Sequence, residues 1–231
     1  ITSSSGNITL SSAASVVMQD ALYDNYAPTI EALGEGRSVV VDATTSLTMQ
    51  SDAQVVVNGG EVLLRAQGGD LTLGIVKTTA TGAARLVTSG AIVDAQNDDL
   101  ALRREVNLIG GQFELIAGTG IGTNTHVIET EAVSLAFSTP SGSAFVRESD
   151  SVALGGLSER TLFTVGNNGA TTSTTWTAVT GSFDTTGNVV MQVGSRTSHN
   201  LTLAGALNTT GNVLLQSGGA LNINADVNTA G

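Results

Sequence analysis

One phrase returns at a fixed step near the end of the chain. "DTTGNVVMQVGS" at 184–195 reappears as "NTTGNVLLQSGG" at 208–219, and "LTLAGALNTTG" at 201–211 reappears as "LNINADVNTAG" at 221–231. A repeat of about two dozen residues is too short to enclose a core of its own. It must bury its apolar face against its neighbours, which is the condition of a solenoid.

Within and beyond this repeat, apolar residues recur as pairs spaced by one position. Such pairs are Ile8/Leu10, Val39/Val41, Leu47/Met49, Val55/Val57, Val62/Leu64 and Leu71/Leu73. Further along come Phe113/Leu115, Val133/Leu135, Val189/Met191, Leu201/Leu203, Val213/Leu215 and Leu221/Ile223. A spacing of two puts both side chains on one face of a strand. Gly, Asn, Asp or Ser bounds each pair, so the pattern predicts strands of about four or five residues joined by tight corners. Stacked about 4.8 Å apart, such strands give an all-β parallel β-helix of roughly ten short coils, a rod about 50 Å long. Tandem β-sandwiches of about 100 residues are the competing arrangement. The short echo and a 3% aromatic content favour the narrow solenoid interior.

The whole of 1–231 reads as one solenoid segment with two irregular excursions. The stretch 16–36, "VVMQDALYDNYAPTIEALGEG", predicts a short helical turn or a loop. The stretch 158–182, "SERTLFTVGNNGATTSTTWTAVTGS", carries the single Trp. Both ends, "ITSSSGNITL" and "NTAG", are in the style of the repeat, and the expectation is a piece of a longer repetitive chain.

Charge narrows the partners. The formal net charge is −11, with 9 basic residues against 20 acidic ones. Nucleic acid, which needs a Lys/Arg footprint, is excluded as a partner, and anionic lipid is disfavoured. The absence of cysteine removes disulfides, thiolate metal sites and cysteine nucleophiles. No apolar run is long enough for a membrane-spanning helix.

Four stretches together resemble the strand repeats of large bacterial surface and exported proteins of the filamentous-haemagglutinin-like kind. They are "GGDLTLGIVKTTATG" (68–82), "SGAIVDAQ" (89–96), "LIAGTGIGTNTHVIETEAVSLAFST" (115–139) and "VRESDSVALGGL" (146–157). The resemblance implies a right-handed parallel β-helix, displayed on or secreted from a bacterium, serving in adhesion or as a structural fibre. Its partners would be neighbouring coils or copies of the same protein, glycans, or a host or partner-cell surface, and its location extracellular.

Candidate chemistry is sparse. "GTGIGT" (118–123) has glycines after a strand, but their spacing is not that of a dinucleotide fingerprint. The β-branched run that follows predicts no helix N-terminus to hold a phosphate. Asp94, Asp98 and Asp99 crowd one corner and are weak calcium candidates; no other cofactor is expected. Glu129 with Glu131, and Glu148 with Asp150, are read as sharing strand faces, and Arg103 and Arg104 lie nearby in sequence. Parallel β-helix enzymes that cut acidic polysaccharides use such acids with calcium and a basic residue, so a glycan-binding or glycan-cleaving site is the alternative function. Acids on a solenoid exterior also serve solubility and guard exposed strand edges. His126 and His199 stand alone in sequence, and no G-x-S-x-G elbow accompanies them. Asn7, Asn200 and Asn208 open N-x-[ST] triplets that arise by chance in so Asn- and Thr-rich a chain. "TTSTTWT" (171–177) has the composition of an ice-binding face without a fixed coil position for its Thr. The expectation is therefore a non-enzymatic rod. A groove lined by three or more acids plus Arg would favour the glycan-cleaving alternative.

Overall fold

A computed structural model describes residues 1–19, 28–95, 106–179 and 183–230. These residues form strands and turns, with no helix among them. All pairings within the main sheet are parallel, and cross-coil hydrogen bonds such as Gln192–Gln216 and Asn228–Asn208 link residues 24 and 20 positions apart. This is the stacked parallel solenoid that the repeat predicts.

One face of the solenoid shows how the sequence builds it. Its strands are Ile8–Ser12, Val39–Ala43, Glu61–Ala66 and Ala83–Thr88, then 112–117, 134–138, Val152–Leu154, Leu201–Leu203 and Leu221–Ile223. One inward residue from each lies in register with the next, in the order Ile8, Val39, Val62, Ala84, Phe113, Leu135, Leu154, Leu203, Ile223. Nine strands about 4.8 Å apart make a rod of about 40 Å. Every member of the ladder but the last is buried. Ala84 lies beside Phe113, so a small side chain makes room for a ring in the next coil, and the density of the core is kept. A second ladder, Leu47, Leu71, Ile92, Ile121, Ala144, Val189, closes another side of the coil.

Corners are where simple alternation ends. Leu108–Ala117 and Ile128–Ser138 each run through a corner and serve two faces: Leu108 and Ile109 pair with Val76 and Lys77, and 112–117 pair with 83–88. Gly110 turns this corner with φ 136°. A Cβ there would come within 2.3 Å of the Thr78 carbonyl oxygen, and one on Gly111 within 2.2 Å of that of Gly82. In the following coil Val133 falls at the same corner, has no register partner, and points outward at 56% exposure. The expected inward position of Val133 is thereby corrected: the corner shifts the phase of the strand, and Ala132 and Leu135 supply the core instead. Leu221 and Ile223 keep the inward register yet stand 43% and 49% exposed, because no described strand stacks on their other side.

The two expected excursions have different outcomes. In 16–36, the flanks Val16–Met18 and Thr29–Glu35 are strands of the stack, paired with Leu47–Met49 and with 54–58; the middle of the expected excursion, 20–27, lies outside the described residues. The second stretch does leave the coil. Arg160–Val165 and Thr171–Trp176 form an antiparallel hairpin laid across the outside of the face just described. The Phe163 and Val165 amides donate to Ser38 Oγ (3.1 Å) and Thr9 Oγ1 (2.9 Å), and Arg160 Nη1 donates to the Thr81 carbonyl at 2.7 Å. Leu162 and Trp176 bury against Val40, Ala83 and Leu63, and the Arg85 guanidinium sits 4.9 Å from the Trp176 ring centre. The single Trp thus anchors a strap to the rod.

Candidate functional site

The most elaborate concavity lies along one edge of the rod and encloses about 780 Å³. Its floor is an outward row in register over four coils: Glu129, Arg147, Gln192, Gln216. Stacking makes this row. Each residue follows an inward aliphatic by one position, so equivalent positions of successive coils carry their polar groups to the same side. Arg147 Nη1 donates to Glu129 Oε1 at 3.2 Å, and Gln192 Nε2 to Gln216 Oε1 at 3.1 Å. Around the row stand Glu131 from within the strand Ile128–Ser138, Asp150 from the bend after Glu148, and Arg196 and His199 from the loop after Val193. Val106 and Val193 are the apolar members of the lining, and among the described residues no Phe, Tyr or Trp faces it.

Beneath the wall lies a buried carboxylate. Glu148 occupies the inward side of the stack between Thr130 and Val193 and is wholly inaccessible. Thr130 Oγ1 donates to it at 2.6 Å, and the amides of Ala132, Ser149 and Asp150 donate to it as well. Removal from water outweighs these donors and pushes its carboxyl up to about 8, with the Asp150 carboxyl adding to the rise. At neutral pH it is a neutral acid.

The sequence grouping is only partly reproduced. Glu129 and Glu131 do share an outward face, with Glu129 buried beside Arg147 and Glu131 exposed. Glu148 and Asp150 do not: the strand ends at Glu148, and Asp150 lies exposed in the bend that follows. Asp94 is buried rather than exposed at a corner, and Asn107 Nδ2 donates to its Oδ1 at 2.8 Å. Asp98, Asp99, Arg103 and Arg104 lie outside the described residues, and among the described ones no group of three or more His, Asp or Glu is arranged to hold a metal ion. His126 is exposed in the turn after Gly122 and is not among the groove-lining residues that include His199. The glycines of 118–123 close a short strand and a turn.

Arg196, Gln192 and Gln216 are not singled out by sequence, and His199, noted there only as a lone histidine, joins them in the groove. The signal was present, because the 184–195 and 208–219 repeats align Gln192 with Gln216 one period apart. Chemically, the groove offers planar donors and acceptors in a row, two guanidinium groups and two accessible carboxylates. That set can hydrogen-bond an extended, hydroxyl-rich or charged chain. Glu148 cannot act on a substrate while it stays beneath the wall.

No protein-family model matches this chain, and neither a curated protein nor a solved structure matches it.

Proposed function

We propose that this chain is a structural and adhesive segment of a bacterial surface or secreted repeat protein, a rigid rod whose sides are its working surface. The observation that carries this reading is the in-register ladder from Ile8 to Ile223. A fold in which each coil contacts only its neighbours yields length and stiffness from few residue types. The likeness of 68–82, 89–96, 115–139 and 146–157 to filamentous-haemagglutinin-like repeats supports an extracellular setting. Its partners are neighbouring coils or copies, and glycans or a cell surface. The test is attachment of beads coated with the chain to bacterial and host cells, against beads coated with the misfolding variant Leu203→Asp. Attachment above that control is expected; equal attachment defeats the reading.

The groove favours a second reading, a polysaccharide-binding or -cleaving solenoid. It meets the geometric condition of several acids with Arg on one side of the rod: Glu129, Glu131 and Asp150 with Arg147 and Arg196. Turnover of an acidic polysaccharide, lost on Glu131→Gln or Glu129→Gln, would establish this reading over the structural one.

A further inference from the structure

The outer strand of the hairpin, Thr171–Trp176, is an edge without any of the usual protections. Its first five residues are exposed on both faces. They carry no charge, no Pro and no bulge, the devices by which natural edge strands are kept from pairing. The direction of its free peptide groups follows from the inner strand. Phe163 and Val165 turn their amides toward Ser38 and Thr9, away from the outer strand. Their register partners are Ser173 and Thr171. In an antiparallel ladder these are the pairs that exchange no hydrogen bonds. Thr171, Ser173 and Thr175 therefore point their N–H and C=O groups outward, into solvent.

The sequence of this edge, Thr-Thr-Ser-Thr-Thr, reads the same in both directions about Ser173. An antiparallel strand pair centred on a two-fold axis places residue i of one copy opposite the mirror position of the other. A palindromic strand thus meets only its own residue types: Ser173 faces Ser173, and Thr171 faces Thr175. Cross-strand Thr and Ser pairs of this kind are favourable. The uncharged strand also lets two chains of net charge −11 meet where neither presents a like charge.

We infer that Thr171–Thr175 is a self-association edge, through which two copies of this chain join their hairpins into one four-stranded antiparallel sheet about a two-fold at Ser173. Roughly six backbone hydrogen bonds form, from the outward groups of residues 171, 173 and 175 in each copy. The contact is isologous, closing a pair of rods side by side rather than end to end. It does not depend on the adhesive or the glycan reading.

The chain has no cysteine, so single cysteines report the contact cleanly. Opposed residues of a hydrogen-bonded pair lie with Cα atoms about 5.5 Å apart, within disulfide reach. S173C is expected to oxidise to a disulfide-linked dimer much faster than T197C, an exposed position on another loop. T171C and T175C are expected to cross-link when mixed but not separately. S173P, which removes an amide the hairpin does not use, is expected to abolish self-association in sedimentation with Trp176 fluorescence unchanged. Should S173P disturb that fluorescence, S173K and S173E decide: each alone monomeric, the mixture associating. Cross-linking of S173C no faster than T197C overturns the inference. So does self-linking of T171C as fast as the mixture, or a K/E mixture that stays monomeric. Amide protection at 171–175 that arises only with an added foreign extended peptide would assign the edge to a different partner and overturn it equally.

Discussion

Two buried polar residues show what the coil interior demands of a side chain that is not aliphatic. Asn107 is wholly buried; its Nδ2 donates to Asp94 and to the carbonyls of Leu73 and Gly74, and its Oδ1 accepts from the Glu129 amide at 2.9 Å. Both ends of its side-chain amide have partners, which is the condition for a polar group in a core. Glu148 is satisfied in number of donors but not in charge. Its carboxyl titrates near 8 in the folded chain, above the usual glutamate value that holds when it is unfolded. The unfolded chain therefore releases this proton first as pH rises. Its contribution to stability is full below the unfolded value, declines as pH climbs, and is lost once pH passes the folded value near 8. Glu148→Gln keeps the shape and removes the ionisation. It is expected to flatten the fall in Tm between mildly acidic and alkaline pH, and to raise stability at alkaline pH by a few kcal/mol. Thermal melts of the two proteins across pH check this, and parallel curves would rule it out. Glu148→Ala is expected to destabilise at every pH, since the amides of Ala132, Ser149 and Asp150 lose their acceptor.

At the scale of the strand, two neighbours that look equivalent in sequence part company. Val133 and Leu135 are one spaced pair, yet the corner between them leaves Val133 exposed and Leu135 buried in the ladder between Phe113 and Leu154. Leu135→Ala is expected to cost about 2–5 kcal/mol, and Val133→Asp to stay within about 0.5 kcal/mol. Denaturant unfolding of both variants measures the contrast, and comparable losses would contradict the outward placement of Val133. The same corner shows how far the fold could be read beforehand. Spacing by two and a repeat of about two dozen residues suffice for strands, stacking and most inward residues, because both signals are local and recur. Corner phase is not local: it depends on which carbonyl of the coil below, such as that of Thr78 or Gly82, lies against the turn. The strap was legible only as an interruption. Its strands have ordinary β composition, and its seat on Ser38, Thr9 and Thr81 joins residues far apart in sequence. For the groove, Glu129 and Glu131 were visible as acids. Their neighbours Arg196 and His199 come from a loop whose position only coil stacking sets.

For the whole molecule, the ladder makes stability a sum over neighbouring coils, and position along the rod decides what each coil is worth. Leu64, Leu86 and Leu115 are sealed between coils on both sides, whereas Leu221, Ile223 and Val227 remain 43%, 49% and 40% exposed. Backbone amides of the strand Leu221–Ile223 are therefore expected to exchange with solvent fastest in the stack, and those of Glu61–Ala66 and Ala83–Thr88 slowest. The hairpin reinforces that difference, because hydrogen bonds to Thr9, Ser38, Thr81 and Gln112 tie it to four coils, and it packs on Leu63 of the coil between them. Loops and edges with few buried contacts open at low free energy, while core strands open only near the global limit. Leu86→Asp buries an unpaired charge between coils in the interior of the stack. It is expected to split unfolding into separate transitions for the coils on either side. Ile223→Asp is expected to leave the main transition in place. Hydrogen exchange by mass spectrometry, together with calorimetry of the two variants, reads both effects. Uniform exchange along the rod, or equal damage from Leu86→Asp and Ile223→Asp, would mean that the coils fold as one indivisible unit rather than as a stack of coupled neighbours.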